Sequence, residues 1–313
     1  MSKYAIGVDI GGTSVKMGLF EREGNVLDKW EIPTMKDNKG ASILPDVAKS
    51  ILAKLKEKGI REEELVGVGV GAPGPMDDEG TLLGGAVNLG WDSFNIPQAL
   101  GAYIKVPIKA ANDANAAAFG EMWQGGGKGY DSLVVVTLGT GVGGGIIVRG
   151  KILVGSCGAG GEIGHIHIED NDTESCNCGN KGCLEQYTSA TGIARLARRY
   201  LAEHREAVTV LRKENISAKT VFDAVKAGDA AAKEIAGQFG DYLGKGLAMV
   251  SSVVNPEIFV IGGGVSKAGE ILLSYIEPYF RKYAFGNCKE TRFALAKLGN
   301  DAGIYGAAAL VLL

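Results

Sequence analysis

The segment Val8–Phe20 reads VDIGGTSVKMGLF, and a similar pattern returns at Val136–Val148 as VTLGTGVGGGIIV. In both segments an apolar run leads into a glycine turn and a second apolar run follows, which predicts two strands joined as a hairpin. Laying one segment over the other aligns Gly11 with Gly139 and both apolar flanks, which indicates an internal duplication. We therefore expect an α/β protein of two domains, each opening with a glycine-turn hairpin, with a cleft between them.

The domain boundary is predicted near residue 115, with a smaller domain at 1–115 and a larger one at 116–301. The last segment, 302–313, is rich in alanine and apolar throughout, which predicts a buried helix. Periodicity leaves open which domain this helix joins, so 302–313 is an alternative addition to the first domain. Further predicted elements are strands at 26–32, 66–72, 106–110 and 258–261, and helices at 43–55, 193–201 and 239–250.

Composition excludes several classes of protein. The 313 residues are 46% hydrophobic and 22% charged, enough to bury a full core. The formal net charge is -3 and no run of Lys or Arg stands out, so the electrostatic attraction behind nucleic-acid binding is missing. The N-terminus lacks the apolar core of a signal peptide, and no apolar run approaches the ~20 residues of a membrane span. We expect a cytoplasmic protein with no nucleic-acid partner and no membrane partner.

Three glycine turns follow apolar strands, at Gly11–Gly12, Gly139–Gly145 and Gly262–Gly264. Such turns expose backbone N–H groups with no Cβ in the way, which suits a phosphate chain. A tight hairpin turn is the alternative for any one of them, but three in one chain favour a nucleotide. The sequence contains no GxxxxGK[ST] motif and no GxGxxG after its first strand, which excludes a P-loop and argues against a dinucleotide fold.

Two aspartates stand at positions suited to phosphoryl transfer. Asp113 follows Asn112 and precedes an alanine-rich run, so this step either caps a helix or holds a general base at the helix N-terminus. Asp9 ends a buried strand just before the first glycine turn. A carboxylate there needs either the N–H groups of the turn or a cation such as the magnesium of Mg-ATP.

Three cysteines crowd into Cys176–Cys183, where Gly179 and Gly182 let the chain fold the thiols toward one point. This spacing predicts a zinc ion with one further ligand, and spacing alone does not choose between His165 and His167. Free thiols or a redox pair are the alternative. A shell of three cysteines and one histidine is closed, which predicts a structural rather than a catalytic zinc.

These motifs resemble known ones. DIGGTSVK at 9–16 and LGTGVGGG at 138–145 resemble the two phosphate motifs of the actin, Hsp70 and sugar-kinase superfamily, which implies its duplicated ribonuclease H-like, actin-like ATPase fold. Four further motifs occur in the order of the ROK family of bacterial sugar kinases, glucokinases among them, and no motif position departs from the family pattern. They are APGP at 72–75, NDANA at 112–116, GEIGH at 161–165 and CNCGNKGCLE at 176–185.

The resemblance implies a role for each motif residue. Asp113 is the implied catalytic base, Asp9 the implied partner of magnesium, and His165 the implied fourth zinc ligand beside Cys176, Cys178 and Cys183. The zinc would fix the segment that carries the sugar-binding side chains. The implied sugar-binding residues are Gly74, Asn112, Asp113, Glu162, His165 and Glu185. The implied nucleotide-binding residues are Gly11, Gly12, Thr13, Lys16, Gly139, Thr140 and Gly141 on the phosphates, and Gly262, Gly263 and Gly264 near the adenosine.

The implied activity is ATP-dependent phosphorylation of glucose at its 6-hydroxyl. Kinases for fructose, N-acetylglucosamine or N-acetylmannosamine are alternatives, because one set of hydroxyl-binding residues serves several hexoses. Polyphosphate is an alternative donor, and the family pattern implies a homodimer or homotetramer. A sugar-binding ROK transcriptional regulator is the rival from another class. Such regulators carry a DNA-binding segment ahead of the first glycine motif, whereas eight residues precede Asp9 here, so we expect an enzyme.

Overall fold

The hairpin predicted from the first glycine turn forms in the computed structural model, which describes residues 3–213 and 215–313. Strands Tyr4–Ile10 (β1) and Ser14–Glu21 (β2) pair antiparallel, and the turn closes through a 3.0 Å hydrogen bond from Gly11 N–H to Ser14 O. The other strands are Val26–Pro33 (β3), Leu65–Ala72 (β4), Ile108–Asn112 (β5), Leu133–Leu138 (β6), Val142–Val148 (β7), Lys151–Ile152 (β8), Ile258–Gly262 (β9) and Arg292–Leu295 (β10).

Within the described residues these strands form two five-stranded sheets, in the orders β3-β2-β1-β4-β5 and β10-β9-β6-β7-β8. Strand β4 runs parallel to β1 and to β5, and β9 runs parallel to β6 and to β10. The strand predicted at 106–110 begins two residues later, at Ile108. Pro107 has no N–H to give to a ladder, although its carbonyl accepts a hydrogen bond from Val68 N–H at 2.9 Å.

The helices confirm the predicted alternation of strands and helices, and with it the α/β class. The periodic segment at 43–55 becomes a helix that ends at Gly59, whose φ of 68° is the left-handed conformation that favours glycine. The helices are Asp37–Gly40 (α1), Ile43–Lys58 (α2), Ile96–Leu100 (α3), Asp113–Gln124 (α4), Glu185–Thr188 (α5), Ala190–Glu203 (α6), Ala218–Lys226 (α7), Ala230–Val254 (α8), Ile271–Tyr283 (α9) and Ala302–Leu312 (α10).

The chain divides into two compact units. The first consists of Met1–Gly129, Gly145–Gly161 and Leu298–Leu313, and the second of Tyr130–Gly144 and Glu162–Lys297. The domain boundary near residue 115 stays a prediction of the sequence. Each unit contains its own apolar packing: in the second, the rings of Phe259, Phe280 and Phe293 lie with their centres 5.1 to 5.5 Å apart.

The C-terminal helix α10 packs inside the first unit, against α4 and strands β1 and β4. Backbone meets backbone at this contact. A Cβ at Gly69 of β4 would overlap Ala307 O, and a Cβ at Gly306 of α10 would overlap Ala116 O. Glycine is therefore required at both positions for the helix to approach the sheet and α4 this closely. This packing fixes the backbone next to the C-terminal ends of β1 and β5, where Asp9 and Asp113 lie.

None of the helices in the described part of the chain combines the length and the apolar character that crossing a membrane requires.

Candidate functional site

The first glycine turn is supported by Thr34 at the end of β3. Its hydroxyl donates to Gly11 O at 2.7 Å, and its N–H donates to Thr13 O at 3.0 Å. The side beside Gly12 is open, since a Cβ built there would come no closer than 3.9 Å to another atom. The ammonium of Lys36 lies 4.0 Å from that position, so the turn also carries a positive charge that the sequence motif did not indicate.

Asp9 is a partly buried carboxylate at the end of β1, opposite Lys16 in the β1–β2 register. Burial and, to a smaller extent, repulsion from Asp113 raise its pKa to about 6, although the charge of Lys16 opposes both effects. Gly303 of α10 leaves room for this side chain, because a Cβ there would lie 2.6 Å from the Asp9 carboxylate. A divalent cation at this position would relieve the repulsion between the two carboxylates, so Asp9 fits a magnesium partner.

Asn112 and Asp113 have separate tasks at the start of α4. Asn112 caps the helix: its Oδ1 accepts from Ala114 N–H at 2.9 Å and from Asn115 N–H at 3.2 Å. Its Nδ2 donates to Gly74 O at 3.1 Å, which ties the predicted sugar-binding Gly74 to the same corner and leaves one N–H for a ligand. Asp113 is exposed, and its Oδ1 accepts from Ala114 N–H at 2.9 Å. Because Asn112 does the capping, the Asp113 carboxylate is available for chemistry.

The second glycine turn lies in the second unit and is fixed to the first turn of α6. Gly139 N–H closes the turn on Gly141 O at 3.0 Å, as Gly11 closes the first turn. Ala190 N–H donates to Gly139 O at 2.8 Å, and the Thr191 hydroxyl donates to Thr140 O at 2.9 Å. The carbonyl oxygens of this turn are thereby occupied from the α6 side.

The third glycine segment borders a cavity of about 360 Å³ within the second unit. Gly263 has a φ of 83°, and a Cβ there would lie 2.5 Å from Leu138 O, so the chain turns sharply at the end of β9. The cavity volume falls in the range of small-molecule pockets. Its lining residues are Ala190, Ser217, Ala218, Lys219, Phe222, Asp223, Lys226, Gly264, Val265, Lys267 and Ala268. The α7 residues among them were not identified from the sequence; the structure shows that Ser217 caps the start of this helix.

The predicted metal ligands do come together. One donor atom from each of His165, Cys176, Cys178 and Cys183 lies within 4.8 Å of the other three. The Cys178 and Cys183 sulfurs are 3.6 Å apart, and the Cys176 sulfur is 3.8 Å from His165 Nδ1. A tetrahedral zinc has ligand–ligand edges of about 3.5 to 3.8 Å. The donor set and its spacing therefore fit zinc.

His167 is the histidine that spacing could not exclude, and both of its ring nitrogens have other partners. Nδ1 lies 2.9 Å from Lys181 O, and Nε2 lies 2.8 Å from Asp170 Oδ1. His165 instead turns Nδ1 toward Cys176 and leaves Nε2 4.0 Å from Glu162 Oε2. His165 thus has one nitrogen on the side of the cysteines and one on the side of a predicted sugar-binding carboxylate.

Glu185, the first residue of α5, contacts the second glycine turn. Its Oε2 accepts from Val142 N–H at 2.8 Å, and a Cβ at Gly141 would overlap the same oxygen. Its Oε1 accepts from the Cys176 thiol at 3.8 Å. Glu185 therefore joins the glycine turn to the cysteine cluster.

The predicted site residues gather in two groups, one in each unit. The group in the first unit consists of Asp9, Gly11, Gly12, Thr13, Lys16, Gly74, Asn112 and Asp113. The group in the second unit consists of Gly139, Thr140, Gly141, Glu162, His165, Cys176, Cys178, Cys183, Glu185, Gly262, Gly263 and Gly264.

Known proteins resemble the chain along almost its full length. The profile of the ROK family matches residues 5–313. A glucokinase from Halalkalibacterium halodurans is 43% identical over an alignment of 313 positions that covers 99% of this chain and 95% of that protein. A glucokinase from Thermotoga maritima is 37% identical over 98% of this chain and 96% of its own length. The crystal structure of a ROK family glucokinase from Streptomyces griseus in complex with glucose and AMPPNP has a TM-score of 0.71 and 34% identity, covering 98% of both chains. This likeness confirms the predicted actin-like class of α/β fold.

The metal cluster predicts one zinc per chain in the purified protein, measured by elemental analysis. Cys178→Ser should lower the zinc content well below one, because a shell of three ligands binds zinc more weakly. His167→Ala is the matched control and should keep the metal, since its ring nitrogens contact Asp170 and Lys181. Metal-free wild-type protein, or equal loss from both variants, would contradict the assignment.

The environment of Asp9 predicts an unusual dependence of stability on pH. The folded protein retains the Asp9 proton up to about pH 6, whereas the unfolded chain releases it near 3.8. The contribution of Asp9 to the free energy of unfolding therefore falls as pH rises from about 4 to 6, and it stays low above that range. Asp9→Asn removes the buried charge, so at pH 7 the variant should be more stable than wild type by on the order of 2 kcal/mol, with no difference below pH 4.

Thermal unfolding midpoints between pH 4 and pH 8, without nucleotide or magnesium, measure this difference. Asp28→Asn is the control of opposite sign: hydrogen bonds from Lys58 and Lys54 hold the pKa of Asp28 below its ordinary value. That variant should lose stability at pH 7. If the Asp9→Asn variant is less stable than wild type at pH 7, the negative charge of Asp9 does not destabilise the folded protein, and the prediction is wrong.

Proposed function

The chain belongs to the ROK family, and we propose that it is a glucokinase that transfers the γ-phosphoryl group of ATP to the 6-hydroxyl of glucose. The observation that carries a kinase assignment is the exposed Asp113 carboxylate at the start of α4, in the same unit as the first glycine turn and Asp9. Glucose is supported by the glucokinases that resemble the chain over nearly its whole length, one of them a crystal structure with glucose and AMPPNP.

Asp113 is the proposed general base. It accepts the proton of the 6-hydroxyl as that oxygen attacks the γ-phosphorus atom. Its position on a capped helix supports this role, because the Asn112 cap holds the backbone while the Asp113 carboxylate stays exposed. Little covalent chemistry is needed from the protein in phosphoryl transfer, so the remaining residues act by binding and orienting the reactants.

The two hairpin turns are the proposed phosphate sites, through Gly11, Gly12 and Thr13 and through Gly139, Thr140 and Gly141. Lys16 adds positive charge, and Asp9 would hold the magnesium of Mg-ATP. When bound, magnesium neutralises charge on the β- and γ-phosphates. The cavity beside Gly264 is the proposed adenosine site, since Phe222 and Val265 give it apolar walls and Ser217 and Asp223 polar ones.

The sugar is the proposed ligand of Glu162, His165 and Glu185, together with Asn112, Asp113 and Gly74. Carboxylates accept hydrogen bonds from pairs of hydroxyls, and the Nε2 atom of His165 faces the Glu162 carboxylate rather than the cysteines. Zinc held by His165, Cys176, Cys178 and Cys183 would orient this segment and perform no step of the reaction.

We also propose a cytoplasmic homodimer or homotetramer. All five cysteines lie in the described part of the chain and none forms a disulfide, as expected in a reducing compartment. Val253 and Phe285 expose 85% and 66% of their surfaces in the second unit, and they are the proposed contact residues between subunits.

A panel of sugars tests the proposed function, with ADP release measured for glucose, fructose, mannose, N-acetylglucosamine and N-acetylmannosamine. An N-acetyl group facing Glu162 would remove its hydroxyl hydrogen bonds. We expect glucose to exceed N-acetylglucosamine in kcat/KM by about 30-fold or more, the equivalent of roughly 2 kcal/mol. Equal kcat/KM values for the two sugars would contradict the glucokinase assignment and would favour a ROK kinase for another hexose. Glucose binding without phosphorylation by Mg-ATP would favour the sugar-binding regulator, and polyphosphate in place of ATP tests the alternative donor.

Replacing the proposed base should strongly lower turnover while the protein still binds glucose. Asp113→Asn keeps the shape of the side chain and removes its basicity, so kcat should fall by about 100-fold or more while glucose still binds in calorimetry. Asp46→Asn, also in the first turn of a helix, is the control for a general effect on helix stability and should keep wild-type turnover. Turnover of Asp113→Asn within about tenfold of wild type would exclude Asp113 as the base.

A further inference from the structure

Asp172 is a buried carboxylate that none of the roles above uses. Its side chain is 1% exposed. Oδ2 accepts from the Tyr187 hydroxyl at 2.5 Å, while Oδ1 accepts from Arg195 Nη2 and, at 3.1 Å, from Glu174 N–H. Burial opposes ionisation of Asp172, but the hydrogen bonds from Arg195 and Tyr187 outweigh it and hold its pKa below the ordinary value. The group is thus a fixed negative charge inside the second unit.

These contacts join two parts of the site segment. Asp172 lies in the loop between the predicted metal ligands His165 and Cys176, and Tyr187 lies on α5, two residues after Glu185. In residues 166–184, all of which the structure describes, the β-bridges are two isolated ones, His167 with Cys183 and Ser175 with Lys181, and scattered backbone hydrogen bonds such as Leu184 N–H to Ile166 O at 2.9 Å join parts of the loop to each other. Around Asp172 the loop contacts α5 through side chains, by the bonds of Tyr187 to Asp172 and of Gln186 to Glu174 O.

Arg195 of α6 contacts both the loop that carries Asp172 and helix α5. Its Nη1 donates to Gln186 O at 3.4 Å, its Nε lies 3.1 Å from Glu174 Oε2, and its guanidinium lies 5.3 Å from the centre of the Tyr187 ring. Gln186 in turn donates to Glu174 O at 3.0 Å. One arginine therefore contacts the loop, through Asp172 and Glu174, and α5, through Gln186 and Tyr187.

A buried ion pair adds little to stability compared with apolar residues, but it selects one arrangement of the groups around it. Helix α5 has only four residues, too few to be stable by itself, so its position depends on its contacts. We propose that Asp172, together with Arg195 and Tyr187, is a positioning device that sets the Glu185 carboxylate for the sugar. The proposal rests on the function proposed above, in which Glu185 binds the hexose.

Removing one hydroxyl tests the device with the least disturbance. Tyr187→Phe keeps the ring and leaves Asp172 Oδ2 without its donor, so Glu185 should lose its fixed position. We expect the KM for glucose to rise about tenfold, with kcat within about threefold and the KM for ATP within about twofold of wild type. Zinc content should stay at the wild-type value, which separates loss of positioning from loss of the metal.

Tyr242→Phe is the matched control. Tyr242 stacks on Tyr187 with ring centres 4.1 Å apart, and its hydroxyl donates to Glu169 Oε2 at 3.1 Å instead of to Asp172. This variant should keep the wild-type KM for glucose within about twofold. A lower unfolding temperature for Tyr187→Phe with an unchanged KM for glucose would overturn the proposal, because the cluster would then be structural only. An equal rise in KM for both variants would overturn it as well.

A second pair of variants keeps the test decisive if Tyr187→Phe does not fold. Arg195→Lys retains the charge beside Asp172 but not the planar fork, so its KM for glucose should lie between those of wild type and Arg195→Met. Equal KM values for wild type and both variants would overturn the proposal. The activity of the wild-type protein tests the proposed function. The ratio of the variant KM to the wild-type KM, measured with whichever hexose the wild type phosphorylates, tests the positioning of Glu185. A wild-type protein that binds no hexose would overturn both.

Discussion

The Glu185 carboxylate fills the space that a Cβ at residue 141 would need, and this contact holds the second glycine turn against the start of α5. The same carboxylate accepts a hydrogen bond from Val142 N–H, so the glycine turn and α5 share one group. Gly192 is also closely packed against this residue, because a Cβ there would lie 2.8 Å from Glu185 O. Glycine at 141 therefore does more than expose N–H groups to a phosphate. It couples the proposed phosphate turn to the proposed sugar carboxylate, and a shift of either one displaces the other.

The first unit uses one residue type in two environments. Asp9 and Asp113 are both aspartates, but burial and the neighbouring charge raise the pKa of Asp9, while Asp113 is exposed at the start of α4. Environments that differ in this way assign different roles to chemically identical groups. Asp9 suits a cation, which compensates its buried charge, and Asp113 suits proton transfer at the surface of the unit. The Asn112 cap makes this division possible, since Asp113 is released from capping the helix.

Local patterns in the sequence predicted much of this arrangement. Alternation of apolar residues predicted both hairpins and their glycine turns, and the spacing of the cysteines predicted three metal ligands. Spacing left His165 and His167 as alternatives and only the family resemblance implied His165; the structure adds the partners of each ring, which fit that choice. Contacts between distant segments were not predictable: α10 packs through glycines on three other elements, and no pattern in the sequence singles out Arg195 as the partner of Asp172. Asp172 reads as one polar loop residue among several, and only its burial reveals its role.

The loop from 166 to 184 shows how a segment with little secondary structure can still present groups accurately. Ordering each of its residues opposes folding by roughly 1 to 2 kcal/mol of backbone entropy, and its backbone hydrogen bonds form two isolated bridges and single contacts rather than a regular ladder. Two compact clusters of side chains add to these contacts, the Cys and His ligands at one side and Asp172 with Arg195 at the other. Each cluster lies next to the residues around Glu185: Cys176 of the first is close to the Glu185 carboxylate, and Asp172 of the second accepts a hydrogen bond from Tyr187. Since phosphoryl transfer gains mainly from orientation, these clusters matter to catalysis although they touch no reacting atom.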